Sequence, residues 1–192
     1  MHTVTLDSAI SLSNSKTLSN AIWIGGFSLL TAVGAQIVIP TVPVPFTLQT
    51  LFVLLSGAML GARKGAAAQI AYLMMGASGL PVFAGFSGSV LRLVGPTGGY
   101  LLAFPIAAFL TGYLIHDVRI MQALPRFATA LIAMTAAMVV IFAVGIAQLN
   151  VTIFHNLGAS VAAGFTQLQA WDAVKILAAA GIASETGRRF TR

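Results

Sequence analysis

The sequence predicts an all-α membrane protein, a compact bundle of six transmembrane helices with both termini cytoplasmic and structured extracellular loops. Three observations carry that reading. First, 58% of the residues are hydrophobic and 7% charged, with a mean hydropathy of +0.94, against roughly 45–50% apolar and about 25% charged in a soluble domain. Four acids and ten bases cannot tile a water-facing surface over 192 residues, so the apolar side chains must meet lipid. Second, a span takes about 20 apolar residues, so the chain holds roughly six helices and no separate soluble domain. Third, when six spans are drawn, Lys16, Arg63, Lys64, Arg119, Arg126, Arg188, Arg189 and Arg192 fall on one side, and only Arg92 lies in a loop on the other. Bases in short loops stay cytoplasmic, which sets the orientation.

Each element follows in order. Residues 1–20, polar and rich in Ser and Asn, read as a flexible cytoplasmic tail outside a single domain of 21–192. The first span, 21–39, repeats small residues at Ala21, Gly25, Ser28, Ala32 and Ala35. Such a stripe admits another helix closely, either inside the bundle or as a docking face for a partner. Pro40, Pro43 and Pro45 then hold an extended loop at a membrane surface. Spans at 46–60 and 66–80 flank the tight basic turn Gly61-Ala62-Arg63-Lys64-Gly65.

Six glycines and two prolines between 79 and 99 predict a long structured loop. At membrane level such backbone must be buried by protein or line a cavity. The fourth span runs over 99–115, a polar connection over 116–126 and the fifth span over 127–149. Residues 150–170, with Asn150, His155 and Asn156, read as an interfacial connection, and 171–183 as the sixth span.

The net charge of +6 would suggest nucleic acid in a soluble chain, but the bases stand singly or in pairs between apolar runs, so no nucleic-acid partner is expected. With no cysteine and three scattered histidines, no metal site or cofactor is expected either. Asp172 and Lys175 open the last span, where each charge costs about 2.5–3.5 kcal/mol to insert near mid-membrane. At a spacing of three they share a helix face and can present an acceptor beside a donor; the plainer alternative is a self-neutralising pair at the interface.

Gly98 and Gly99, ahead of Tyr100, leave backbone N–H groups at the start of the fourth span, where a carboxylate could bind with help from Arg92. Tyr100 would pack on apolar rings. No Lys-Ser or Lys-Thr follows these glycines, so the chain has no nucleotide-hydrolysis loop. Gly85-Phe86-Ser87-Gly88 matches the short Gly-x-Ser-Gly of intramembrane serine proteases, with His155 as a conceivable base; this is the competing reading, from a different functional class.

One resemblance is more specific than any of these motifs alone. Val44-Pro45-Phe46-Thr47-Leu48-Gln49-Thr50, then Gly61 with Gly65, then Gly79-Leu80-Pro81-Val82-Phe83-Ala84-Gly85, then Gly95-Pro96-Thr97-Gly98-Gly99-Tyr100-Leu101, and finally Asp172 with Lys175 occur in order across 18–188. Together they resemble the BioY family, the biotin-uptake S components of energy-coupling-factor (ECF) transporters. The resemblance implies a six-helix, multi-pass protein of the inner (cytoplasmic) membrane that captures biotin from outside and is not an enzyme. Its implied partners are an ECF transmembrane coupling protein and a pair of ABC-type ATPases within the lipid bilayer. Asp172 and Lys175 would hold the ureido end of biotin, whose two N–H donors and one carbonyl suit an adjacent acceptor and donor. The chain departs from the family pattern at Ser87, Leu101 and Ala170-Trp171. An S component for another small vitamin is the nearer alternative.

Overall fold

The computed structural model describes residues 6–39, 46–167 and 170–190, and within them the side chains of 16–39, 46–164 and 171–186. Helix α1 (Leu6–Gln36) starts well before the expected first span. Residues 6–20, expected as a tail, are helical: no Gly or Pro interrupts them, and Ser and Asn cost too little per residue to stop a helix already nucleated by the apolar run. Strands β1 (Val38–Ile39) and β2 (Phe46–Thr47) pair antiparallel, Val38 opposite Thr47 and Ile39 opposite Phe46. The expected proline loop, 40–45, lies outside the described residues.

Helices α2 (Gln49–Leu60) and α3 (Ala62–Ala77) meet at Gly61, whose φ of +81° makes the turn that a side chain would strain. The glycine-rich stretch that follows is only partly loop. Phe83 and Ser87 bridge across a tight turn, and α4 (Val90–Val94) is capped by Ser89, whose Oγ accepts the Leu91 N–H at 3.1 Å. The expected fourth span is α5 (Gly98–Leu102) and α6 (Phe104–His116), broken at Ala103 because Pro105 has no N–H for the Leu101 carbonyl.

After the short α7 (Arg119–Gln122), helix α8 (Arg126–Leu149) runs into one π-helical turn, Asn150–Phe154, that stops at His155 with φ +47°. Then come α9 (Leu157–Gln167) and α10 (Ala170–Phe190). The segment expected as an interfacial connection is therefore mostly helical. Asn156 restarts the helix by accepting the Ala159 N–H at 3.0 Å through its side chain.

Helix α6 packs on α2 and α3, α1 covers α2 and α3 from outside, and α10 fits between α2 and α8. Two glycines allow the closest crossings: a Cβ on Gly57 would overlap the Ala108 carbonyl, and one on Gly112 the backbone of Gly61 and Ala62. The small stripe of α1 is internal over its second half. Ser28, Ala32 and Ala35 are buried, and the Ser28 hydroxyl donates to the Ala68 carbonyl of α3 at 2.7 Å, which lets α1 approach α3 closely. Ala21 is exposed and a Cβ on Gly25 would meet open space. The opposite face, with Ile22, Leu29 and Val33, is exposed and apolar.

Among the described residues three helical stretches are long and apolar enough to cross a bilayer: Lys16–Gln36, Gly98–His116 and Arg126–Phe154, with mean hydropathies of 1.4, 1.6 and 2.6. Helix α2 is apolar but only 12 residues long, about 18 Å against a core of about 30 Å. Helix α10 has the length but carries Asp172, Lys175, Glu185, Arg188 and Arg189.

Candidate functional site

Asp172 and Lys175 sit one turn apart near the start of α10, 4% and 6% exposed. Lys175 Nζ lies 2.6 Å from Asp172 Oδ1. It also donates to the Thr47 carbonyl at 3.2 Å and to Thr50 Oγ1 at 2.7 Å, and stands 4.1 Å from the centroid of the Phe46 ring. The hairpin and the first turn of α2 thus deliver the partners of a lysine more than a hundred residues away. All three ammonium protons are engaged. Asp172 has Lys175 as its only donor among the described residues, so the carboxylate keeps acceptor capacity for something else.

That capacity opens onto a cavity bounded by β2, α2, the 83–92 stretch, α5, α6, α8 and α10. Phe83, Phe104, Ile141 and Phe142 make apolar walls, and Arg92, an exposed residue of α4 with no ion-pair partner among the described residues, stands at its edge. Tyr100 is 8% exposed and meets Phe142 edge-on at 6.0 Å. Its ring occupies the space that a Cβ on Gly145 would fill. The Tyr100 hydroxyl is buried with no hydrogen-bond partner, a state that costs about 1–3 kcal/mol. A slot with apolar walls, an under-used carboxylate, an orphan hydroxyl and a guanidinium suits a small, largely apolar ligand with polar groups at both ends.

Of the residues expected from sequence, Asp172, Lys175, Tyr100, Arg92 and Ser87 all line this cavity, while Gly98 and Gly99 do not. The Gly98 N–H donates to the Gly95 carbonyl at 3.0 Å. A Cβ on Gly98 would overlap the Leu93 carbonyl, and one on Gly99 would press on Val144 and Gln148. These glycines allow the close packing of α5, and the Gly98 N–H is already spent on the Gly95 carbonyl. Ser87 donates its hydroxyl to the Ala84 carbonyl at 2.9 Å, so no base holds it as a nucleophile. His155 is exposed at the end of the π turn and does not line the cavity.

Sequence reasoning missed the supporting set around Lys175. Thr47, Gln49 and Thr50 are three polar residues opening an apolar run, which was the available signal. Thr47 Oγ1 donates to Gln49 Oε1 at 2.8 Å, Gln49 Nε2 donates to the Tyr72 hydroxyl at 2.6 Å, and that hydroxyl donates to the Val82 carbonyl at 3.2 Å. This buried chain joins the hairpin to the cavity wall.

Comparison with known proteins places these features in a known setting. The model of the BioY family matches residues 7–192. A protein of Thermotoga maritima described as biotin transporter BioY is 42% identical over 159 residues, which cover 83% of this chain and 90% of that one. A probable biotin transporter BioY of Pyrococcus horikoshii is 50% identical over 98 residues, 51% of this chain and 60% of that one. The crystal structure of an S component for biotin from an ECF-type ABC transporter superposes with a TM-score of 0.82, covering 93% of this chain and 98% of that one at 22% identity. At that identity the likeness speaks to the fold.

Proposed function

The chain belongs to the BioY family, and from that premise we propose that it takes up biotin, as the membrane component that captures the vitamin from outside. It is a transport protein and not an enzyme. The observation that carries the binding mode is the buried Asp172–Lys175 pair whose carboxylate retains free acceptor positions beside a largely apolar slot. Asp172 accepts a ureido N–H of biotin. Lys175 serves the ureido carbonyl by exchanging one of its present acceptors, Thr50 or the Thr47 carbonyl, for the ligand. The fused rings pack between Phe104 and Phe142, the Tyr100 hydroxyl gains the partner it lacks, and the valerate carboxylate points to Arg92. Ser87 forms part of the wall beside it.

In this reading six spans, built from α1, α2, α3, α5 with α6, α8 and α10, cross the cytoplasmic membrane with both termini inside. The packing supports it: Lys64 Nζ donates to Asn20 Oδ1 at 2.7 Å and the His116 ring bonds the Ala58 carbonyl at 2.8 Å, which ties the basic start of α3 to α1 and the end of α6 to the end of α2. The hairpin, Arg92 and the charge pair belong to the other end. Delivery inward needs energy that a chain without a nucleotide loop cannot supply, so an ECF coupling protein with ABC-type ATPases completes the system. Mass spectrometry of ligand carried through detergent purification, followed by titration of the stripped protein with biotin, tests the assignment. Biotin in the purified protein is expected; a different vitamin, or no binding, overturns it.

A further inference from the structure

We propose that Gln36 and Gln148 are positioning residues that hang the cavity wall 82–95 from α1 and α8, so that biotin affinity depends on two amides that do not themselves line the cavity. The inference rests on the cavity being the biotin site.

This wall supplies Phe83, Ala84, Ser87 and Arg92 to the cavity; its apolar anchors are Phe83, 2% exposed against Tyr72 and Gly76, and the partly buried Val82 and Leu93, while no residue of 84–92 between them is buried. No residue of α4 is buried, and Phe86 is 73% exposed. Its backbone turns through the left-handed region at Gly85 and Phe86, with φ of +70° and +53°. The second is unfavourable for a residue with a Cβ and must be held by something.

The holding groups are polar and come from outside the wall. Gln36, in the last turn of α1, donates through Nε2 to the Phe83 carbonyl at 3.2 Å and the Val82 carbonyl at 3.4 Å, and through Oε1 accepts the Phe86 N–H at 2.9 Å. Gln148 of α8 donates through Nε2 to the Leu93 carbonyl at 3.0 Å and the Gly95 carbonyl at 2.6 Å. Each amide therefore grips backbone directly beside a lining residue, Phe83 at one end and Arg92 at the other. Only an amide can do what Gln36 does, because it presents donors and an acceptor together; a carboxylate keeps the acceptor, and methionine, of the same length, keeps neither. Helices α1 and α8 are packed into the bundle by other residues, so losing the tethers frees the wall without unfolding the helices.

The test uses Gln36→Met, Gln148→Met and Gln36→Glu in the full-length purified protein, with two readouts. Hydrogen exchange on ligand-free protein should show segment 82–95 exchanging faster in both methionine variants while the helices stay protected. Gln36→Glu should retain protection of the Phe86 amide. Titration with biotin should give a dissociation constant raised about tenfold in each methionine variant, mainly through faster release, with an intermediate loss for Gln36→Glu. Faster wall exchange with unchanged affinity would overturn the proposal, as would an affinity loss accompanied by faster exchange throughout the bundle, which marks a merely structural role. Failure of the parent protein to bind biotin would overturn the assignment of the site, and the exchange data would then decide the tethers alone.

Discussion

Replacing Asp172 by Asn probes the binding site with the smallest change in shape. The carboxylate accepts from Lys175 at 2.6 Å and, in the proposed binding mode, offers its remaining lone pairs to the ligand; the amide keeps one acceptor and turns a donor toward either the ammonium or a ureido N–H. One charge-assisted hydrogen bond to the ligand is lost, about 1.5–3 kcal/mol. That corresponds to a dissociation constant raised about 10- to 150-fold. Breaking a buried ion pair costs about 3–5 kcal/mol of stability when the remaining charge is stranded. Lys175 is not stranded, since Thr47, Thr50 and the Phe46 ring remain around it, so the variant should still fold and elute as a single species. Calorimetric titration of detergent-solubilised parent and Asp172→Asn, each checked by gel filtration, measures the difference. A dissociation constant unchanged within about twofold would refute the argument that this carboxylate reads the ureido ring.

Other variants separate binding from packing. Tyr100→Phe removes a hydroxyl that has no partner, so it should raise the Tm of the ligand-free protein while weakening biotin; a lower Tm with unchanged affinity would count against the orphan hydroxyl meeting the ligand. Arg92→Ala should weaken biotin more than biotin amide, which has no carboxylate, and equal losses would remove Arg92 from the site. Gly112→Leu drives a side chain into the backbone of Gly61 and Ala62 and should lower the Tm, by an overpacking cost of about 1–3 kcal/mol or more; an unchanged Tm would argue against the close crossing of α3 and α6. Ala32→Leu should likewise lower the Tm, because Ala32 is buried on the inner face of α1.

The charge pair was legible in the sequence because a chain so sparing of charge keeps an acid and a base three residues apart only under constraint. Arg92 and Tyr100 were legible for related reasons, one as the lone base on its side, the other as the aromatic closing a glycine motif. What sequence could not show is which face a small residue turns. Gly98 and Gly99 suit both ligand approach and helix packing, and only the fold shows the nearby carbonyls of Leu93 and Val144 that leave no room for a Cβ. Ser28, Ala32 and Ala35 posed the same ambiguity, and the fold turns all three inward, Ser28 onto the Ala68 carbonyl. The helicity of 150–170 was hidden because Asn and Gly there act as a helix cap and as close-packing residues; a Cβ on Gly164 would overlap Ile146. Gln36 and Gln148 carried no motif, and their partners are backbone atoms far along the chain.

The internal cancellation of Asp172 and Lys175 has an electrical consequence. With Arg92 counted, as the proposed binding mode requires, the empty site holds a charge of +1, and a bound monoanion brings it to zero. A membrane potential acts at about 2.3 kcal/mol per charge per 100 mV on charge carried through the whole field. The loaded site presents it with no net charge to move, although a free carboxylate driven into a negative cell interior would be opposed. On the proposed binding mode any voltage dependence of uptake belongs to the step in which the vacant protein resets, and the loaded step alone is indifferent to the polarity of the cell.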